Sequence, residues 1–378
     1  MSVTYDLSGR VTIGVSGDER TLHAVAGQLN PFSPREPAVP GEPDLVLEFG
    51  SQGPAAVIDI QNPARDGLTT AYDGRALSLR AGDSACTIEP SVDGEQVRLR
   101  CDPAFPVARL FRTIVRPALQ AAAVRHDAAA VHSAAVEVDG HAVLVAGWSE
   151  SGKTETALAL MEEGAGWLSD KWTLIGMDGE ASAFPINVGV RRWVLPYLPR
   201  LAAGLPRSSR VQVAVAGAAA TATQPLLRHR SRGGRVGAAA ALAERAVGIV
   251  DRAALTPDQI RAAYGQDDDA ARRVPLGTVA LLTTVPGPDI SIEKCDQDWA
   301  AARLGLTGAY ERHDWHMLQD RWRYADPFRP WPGDDRDRAI TAERRILEAA
   351  LSGARLLHVR APFPVDPRRV AHAIQDAM

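Results

Sequence analysis

Lysine is nearly absent from this chain of 378 residues: of its 42 basic side chains only Lys153, Lys171 and Lys294 are lysine, leaving 39 arginines. A compact ammonium and a planar guanidinium differ in shape and hydrogen-bond geometry, so the surviving lysines are candidates for places that need the ammonium. Two of them lie within nineteen residues of each other. Cysteine is scarce too. Cys86, Cys101 and Cys295 are too widely spaced for a disulfide framework or a zinc site and are expected to be reduced, structural thiols. No run of eighteen apolar residues occurs, and the start, MSVTYDLSGRVTIGV, has no basic stretch leading into an apolar one; both point to a cytoplasmic protein with no membrane partner. The net charge of -4 gives no electrostatic reason to expect nucleic acid. No period of 20 to 50 residues repeats, which excludes solenoids and propellers.

The length suits two domains. From Val3 to Arg100, short β-type runs (DLVLEFG, AAVIDI, LSLRA, VRLRC) are separated by Gly, Pro and Asp turns, with a Pro-rich loop over residues 30–43. This predicts a β-rich N-terminal domain, residues 1–125, built of antiparallel strands. Apolar residues at helical spacing from Phe105 to Ala130 predict a helical connector that kinks or breaks at Pro117. The second domain, residues 126–378, begins with HSAAVEVDGHAVLVAGW, whose Asp139-Gly140 between two β runs signals a hairpin. A helix over Glu155–Glu163 follows, stopped by Gly164, then a strand WLSDKWTLIG and another reaching Phe184. Residues 200–272 are Ala-, Arg- and Gly-rich and read as an insertion that ends in the acidic run Asp267–Asp269. VPLGTVALLTTV and DISIEKC then rejoin the sheet, and helices over Thr341–Leu351 and Asp366–Met378 flank a strand ARLLHVRA. The fold class expected is α/β, of the α+β kind with a mixed sheet.

Gly147-Trp148-Ser149-Glu150-Ser151-Gly152-Lys153-Thr154 matches G-x-x-x-x-G-K-[ST], the Walker A loop, between a strand and a helix. Its amides would converge on a polyphosphate, with glycines at the first and sixth places allowing the turn and the close approach. Lys153 would reach the β and γ phosphates and the Thr154 hydroxyl a magnesium ion, so ATP and Mg2+ are the expected cofactors. Phosphoryl transfer also needs a carboxylate near the metal or the acceptor hydroxyl, and Asp170, on the strand after the helix, is the candidate for both. His132 opens the hairpin that feeds the loop and stands either near the γ phosphate or as a structural residue. Glu155 joins the magnesium shell or caps the helix, and Arg191 and Arg192 are candidate phosphate clamps.

The stretch from Val131 to Asp170, VHSAAVEVDGHAVLVAGWSESGKTETALALMEEGAGWLSD, resembles the core of bacterial HPr kinase/phosphorylase, and the fold is related to that of ATP-dependent phosphoenolpyruvate carboxykinase. The resemblance covers roughly residues 131–176 and implies an HPr kinase-like P-loop domain that phosphorylates a hydroxyl. By position it assigns Gly147–Thr154 to the phosphates, Glu155 and Asp170 to the magnesium and acceptor region, and His132 to the transferring group. Three departures stand out: Lys171 replaces the second Asp of the family's Asp-Asp pair, Glu150 replaces a loop glycine, and FPINVGVRRW stands where a Glu-x-Arg-Gly segment belongs. Lys171 either pairs with Asp170 or a phosphate oxygen, or marks a loss of catalysis, or faces solvent. The expected function is an ATP-dependent kinase acting on a serine of a protein or peptide, or on a small-molecule alcohol, with homo-oligomerisation left open. The alternatives are a catalytically impaired nucleotide-binding regulator and a motion-coupled ATPase, the latter lacking an LSGGQ-like signature and a Walker B Asp-Glu pair.

Overall fold

The computed structural model describes residues 1–35, 42–50, 59–61, 69–215, 252–267, 269–329, 331–332 and 336–378. Parts of the expected AAVIDI strand, the Pro-rich loop and the insertion, with Asp268 of the acidic run, lie outside the described residues. The fold is mixed α/β and contains two large mixed sheets.

The first sheet uses β1 (Ser2–Leu7), β2 (Val11–Ser16), β3 (Leu45–Phe49), β4 (Asp59–Gln61), β5 (Thr69–Tyr72), β6 (Leu77–Ala81), β7 (Ser84–Pro90) and β8 (Val97–Cys101), in the order β1-β2-β3-β8-β7-β6-β5-β4. Strict alternation sends Val11, Ile13 and Val15, Leu45 and Leu47, and Leu99 and Cys101 into one core. The expectation of antiparallel strands fails at one place, because β3 runs parallel to both β2 and β8. A parallel neighbour needs a crossover. Helix α1 (Glu19–Leu29) supplies it, capped by the Asp18 carboxylate, which accepts from the Thr21 amide at 2.8 Å.

Of the two outcomes expected at Pro117, a kink or a break, the break does not occur. Helix α2 (Val107–Leu110), a π turn (Phe111–Val115) and α3 (Arg116–Arg125) run on continuously, with Pro117 in the first turn of α3. The proline ring and its missing N–H fall just after the widened turn, where an i→i−4 bond is already absent.

The second sheet is built from β9 (Ala128–Val131), β10 (Ser133–Val138), β11 (His141–Gly147), β12 (Gly166–Ser169), β13 (Thr173–Gly176), β14 (Glu180–Ala183), β17 (Arg273–Thr284), β18 (Ser291–Lys294) and β19 (Arg355–Ala361). Its order is β12-β10-β11-β17-β14-β13-β9, with β19 on β17 and β18 on β19. The first residues of β17 pair with β14; the rest lies parallel between β11 and β19. A separate ribbon pairs β15 (Val188–Arg191) with β16 (Arg252–Leu255). The hairpin β10–β11 turns through Asp139 and Gly140, both at positive φ. WLSDKWTLIG is not one strand: it is interrupted at Asp170–Trp172, with Lys171 at φ +63°, into β12, which pairs with β10, and β13, which pairs with β9 and β14; both halves run in the same direction.

The second sheet is accompanied by helices α4 (Lys153–Glu162), α5 (Pro199–Gly204), α6 (Pro257–Ala263), α7 (Gln297–Glu311), α8 (His313–Ala325), α9 (Arg336–Leu351) and α10 (Pro367–Asp376), and by a 3-10 helix over Arg192–Tyr197. One apolar cluster joins α4 and α10 to one face of the second sheet, and another joins α7 and α9 to the other face. A third runs from the first sheet through α2–α3 to Trp172, Phe184, Trp315 and Trp322, so the two sheets share a core. Each fully buried leucine in it contributes about 2 kcal/mol by removal from water. The buried Arg10 reinforces the junction through Asp178 at 2.8 Å. Among the described residues no helix is long and apolar enough to cross a membrane.

Candidate functional site

Strand β11 ends beside β17, with Gly147 opposite Leu282. A Cβ at Gly147 would lie 2.7 Å from Ser151 Oγ and 2.9 Å from the Leu282 carbonyl oxygen, so only glycine fits. The loop then folds back on itself: Ser151 Oγ and Lys153 Nζ both donate to the Trp148 carbonyl, at 2.9 and 2.7 Å. Gly152, at φ +92°, ends the loop and precedes α4 with no side chain to cap it. The first-turn amides and the positive end of the helix dipole therefore face the loop without a side-chain acceptor from the cap position, an arrangement suited to an anion.

Thr154 Oγ1 donates to Asp170 Oδ1 at 2.8 Å, which ties the helix start to the β12–β13 turn. Asp170 is buried, and burial pushes its pKa up to about 6, with Glu155 adding to the rise while the Thr154 hydrogen bond and Lys153 oppose it. Glu155, in the first turn of α4, is also buried and raised, burial again being the main cause against the pull of Arg191 and Lys153. His132 lies between β9 and β10, its ring 5.4 Å from that of Trp172. Burial, then Lys153 and Lys171, push its pKa down to about 3, so the imidazole is neutral at physiological pH.

These groups line one polar cavity of about 390 Å3 that includes Ser149 to Glu155, His132, Asp170, Lys171 and Arg191. Two of the three lysines of the chain are thus in one place. Trp148 does not line it; its half-exposed ring packs on Tyr310 at 5.0 Å. Arg192 is not part of the lining either. Sequence reasoning missed Asn187, Gly189, Arg252 and Phe363. Arg252 sits directly opposite Arg191 across β15–β16, a pairing between residues 61 positions apart that no local pattern announces.

Glu150 has left-handed backbone, φ +61°, in the middle of the loop. For a residue with a Cβ this costs about 1–2 kcal/mol relative to glycine. Its carboxylate accepts from Arg191 at 2.5 Å and lies 3.6 Å from Arg252. At 62% side-chain exposure, such pairing returns at most about 1 kcal/mol, so the two terms roughly offset.

The Thr154 hydroxyl and Asp170 carboxylate are hard oxygen donors of the kind magnesium takes, and one or two protein ligands completed by phosphate oxygens and water are typical of it. Among the described residues there is no cluster of three or more His, Cys, Asp or Glu side chains arranged to hold a metal. The chain matches no protein-family model, and no curated protein matches it.

Proposed function

We propose that this chain is an ATP-dependent kinase of the HPr kinase/phosphorylase-like class, transferring the γ-phosphoryl group to the hydroxyl of a serine-bearing protein or peptide or of a small alcohol. The observation that carries the reading is the 2.8 Å contact between Thr154 Oγ1 and Asp170 Oδ1 at the foot of a glycine-bounded loop. It joins a metal-binding hydroxyl to a buried carboxylate where a triphosphate would end. The loop amides and Lys153 would hold the β and γ phosphates, and Lys153 would leave the Trp148 carbonyl to do so. Thr154 and Asp170 would hold magnesium, which neutralises charge on the phosphate oxygens when bound. Asp170, with a pKa near 6, is also poised to orient the acceptor hydroxyl and take its proton. Neutral His132 lines the same cavity as a hydrogen-bonding group.

Lys171 supports a second reading, a nucleotide-binding regulator that has lost transfer. It holds left-handed backbone at the place of the resembled family's second Asp, and it lines the cavity as a cation. The same assay separates the two. Wild type, Lys153→Ala and Asp170→Asn are titrated with Mg·ATP by calorimetry and then incubated with γ-labelled ATP and serine-containing peptides or alcohols. The kinase reading expects saturable binding and label on an acceptor, with transfer lowered about a hundredfold or more in both variants. Binding with no turnover favours the regulator, and free phosphate alone an ATPase. Absence of any nucleotide binding by the folded wild type overturns both principal readings.

A further inference from the structure

Four cations line the cavity, Lys153, Lys171, Arg191 and Arg252, against the carboxylates of Glu150, Glu155 and Asp170. Glu155 and Asp170 are buried and set by the start of α4 and by the β12–β13 turn. Glu150 differs from both: it is exposed, on the loop itself, and held in a backbone conformation that disfavours any residue but glycine. What it gains there is contact with two arginines at once. Arg191 and Arg252 are directly opposite each other in the β15–β16 ribbon, where like charges repel unless an anion lies between them. The Glu150 carboxylate is the nearer such anion, 2.5 Å from Arg191 and 3.6 Å from Arg252, with the buried Glu155 carboxylate 3.9 Å from Arg191.

We propose that Glu150 is a built-in substitute for the terminal phosphate, occupying Arg191 and Arg252 until a nucleoside triphosphate displaces it. The inference rests on the nucleotide reading of the same cavity and adds to it a competitor on the phosphate loop and two phosphate-binding arginines on the ribbon. A triphosphate seated on Lys153 brings negative charge to a cavity in which these guanidiniums are the cations carried by the ribbon. They exchange one anion for another. Glu150, released, is left near the phosphates as a like charge, so the resting protein binds triphosphate more weakly than its cation set alone would allow. A diphosphate lacks the terminal group and does not compete for the arginines.

The test is calorimetry of the full chain with Mg·ATP and Mg·ADP, comparing wild type, Glu150→Gln and Glu150→Asp, with urea midpoints confirming that each is folded. Glu150→Gln keeps the size and the strained backbone and removes only the charge. It is expected to raise the affinity for Mg·ATP about three- to tenfold, as loss of one like charge at partly screened distance implies, with a smaller gain for Mg·ADP. Glu150→Asp, which keeps the charge, should stay within about twofold of wild type. An unchanged or lowered affinity in Glu150→Gln, or an equal gain for both nucleotides, overturns it while leaving the nucleotide site intact. Failure of every folded variant to bind either nucleotide overturns the site and the substitute together.

Discussion

Charges are arranged in opposite ways on the first sheet and around the phosphate loop. On the first sheet, Glu48 of β3 meets Arg98 and Arg100 of β8 at 2.6 and 3.1 Å, and Arg100 reaches Glu89 of β7 at 2.8 Å. All four side chains are between 34% and 40% exposed, so water still solvates the ladder. Around the loop, Lys153, Glu155, Asp170 and His132 are each at most 8% exposed, and three of the four have pKa values moved by burial. The ladder satisfies its charges locally at little cost. The cavity holds ionisable groups out of water, which is unfavourable for folding and is the condition under which they act strongly on a ligand.

The pair Arg312–Glu343 separates burial from function. It is bidentate, at 2.8 and 2.6 Å, and its side chains are 7% and 3% exposed, yet it joins the start of α8 to α9 and lies outside the phosphate cavity. Arg312→Ala leaves a buried carboxylate uncompensated and should destabilise the protein by about 3–5 kcal/mol, measured by urea unfolding. The double replacement Arg312→Met with Glu343→Leu should recover most of that loss, since both charges then leave the interior. A single-variant cost below about 1 kcal/mol would place this pair with the surface ladder and remove the contrast.

His132 gives the same contrast a pH dependence. Its folded pKa, about 3, lies below the unfolded value near 6.5, so unfolding takes up a proton. Its contribution is therefore full above pH 6.5 and is lost as pH falls toward 3. Asp170 runs the other way: its folded pKa, about 6, exceeds the model-peptide value of 3.8, so its contribution is present below that value and lost as pH rises through 6. The two partly offset in the wild type. The difference between wild type and His132→Gln isolates the histidine, because both proteins carry Asp170. Between pH 7 and pH 5, that difference should move by about 2 kcal/mol against the wild type, from roughly 1.5 pH units at 1.36 kcal/mol each. A pH-independent difference would mean that His132 reaches water in the folded state.

How much of this was legible in the chain depends on the range of the interaction. Asp139-Gly140, the Gly147 and Gly152 positions and Gly164 at φ +105° are set by backbone conformations that few residues accept, so the sequence carries them openly. The loop and its helix start are therefore readable. Helix α8 was missed although Trp315, Leu318, Gln319 and Trp322, its buried residues, follow helical spacing; the surrounding His, Asp and Arg dilute the apolar signal. Helix α1 has its Asp18 cap, but only Thr21, Val25 and Leu29 are buried. The interruption at Asp170–Trp172 carries no turn residue beyond Asp itself: Lys171 and Trp172 are poor turn formers, and Trp172 is packed against His132 and Phe184 there instead. The sharing of β17 among three partners and the meeting of Arg191 with Arg252 arise from long-range pairing, which local patterns do not encode.

The smallest effect belongs to the ladder and is the one most sensitive to solvent. Arg98→Ala removes one of the two arginines on Glu48 and leaves the other at 3.1 Å, so no carboxylate is stranded. The expected loss is at most about 1 kcal/mol at 0.1 M salt and less at 1 M, where the screening length falls to about 3 Å. Urea midpoints at the two salt concentrations measure both numbers. Arg312→Ala, shielded from ions by burial, should lose nearly the same stability in either buffer. If Arg98→Ala instead cost several kcal/mol with no response to salt, its aliphatic stem rather than its charge would be holding β8, and exposure would no longer separate the two classes of ion pair.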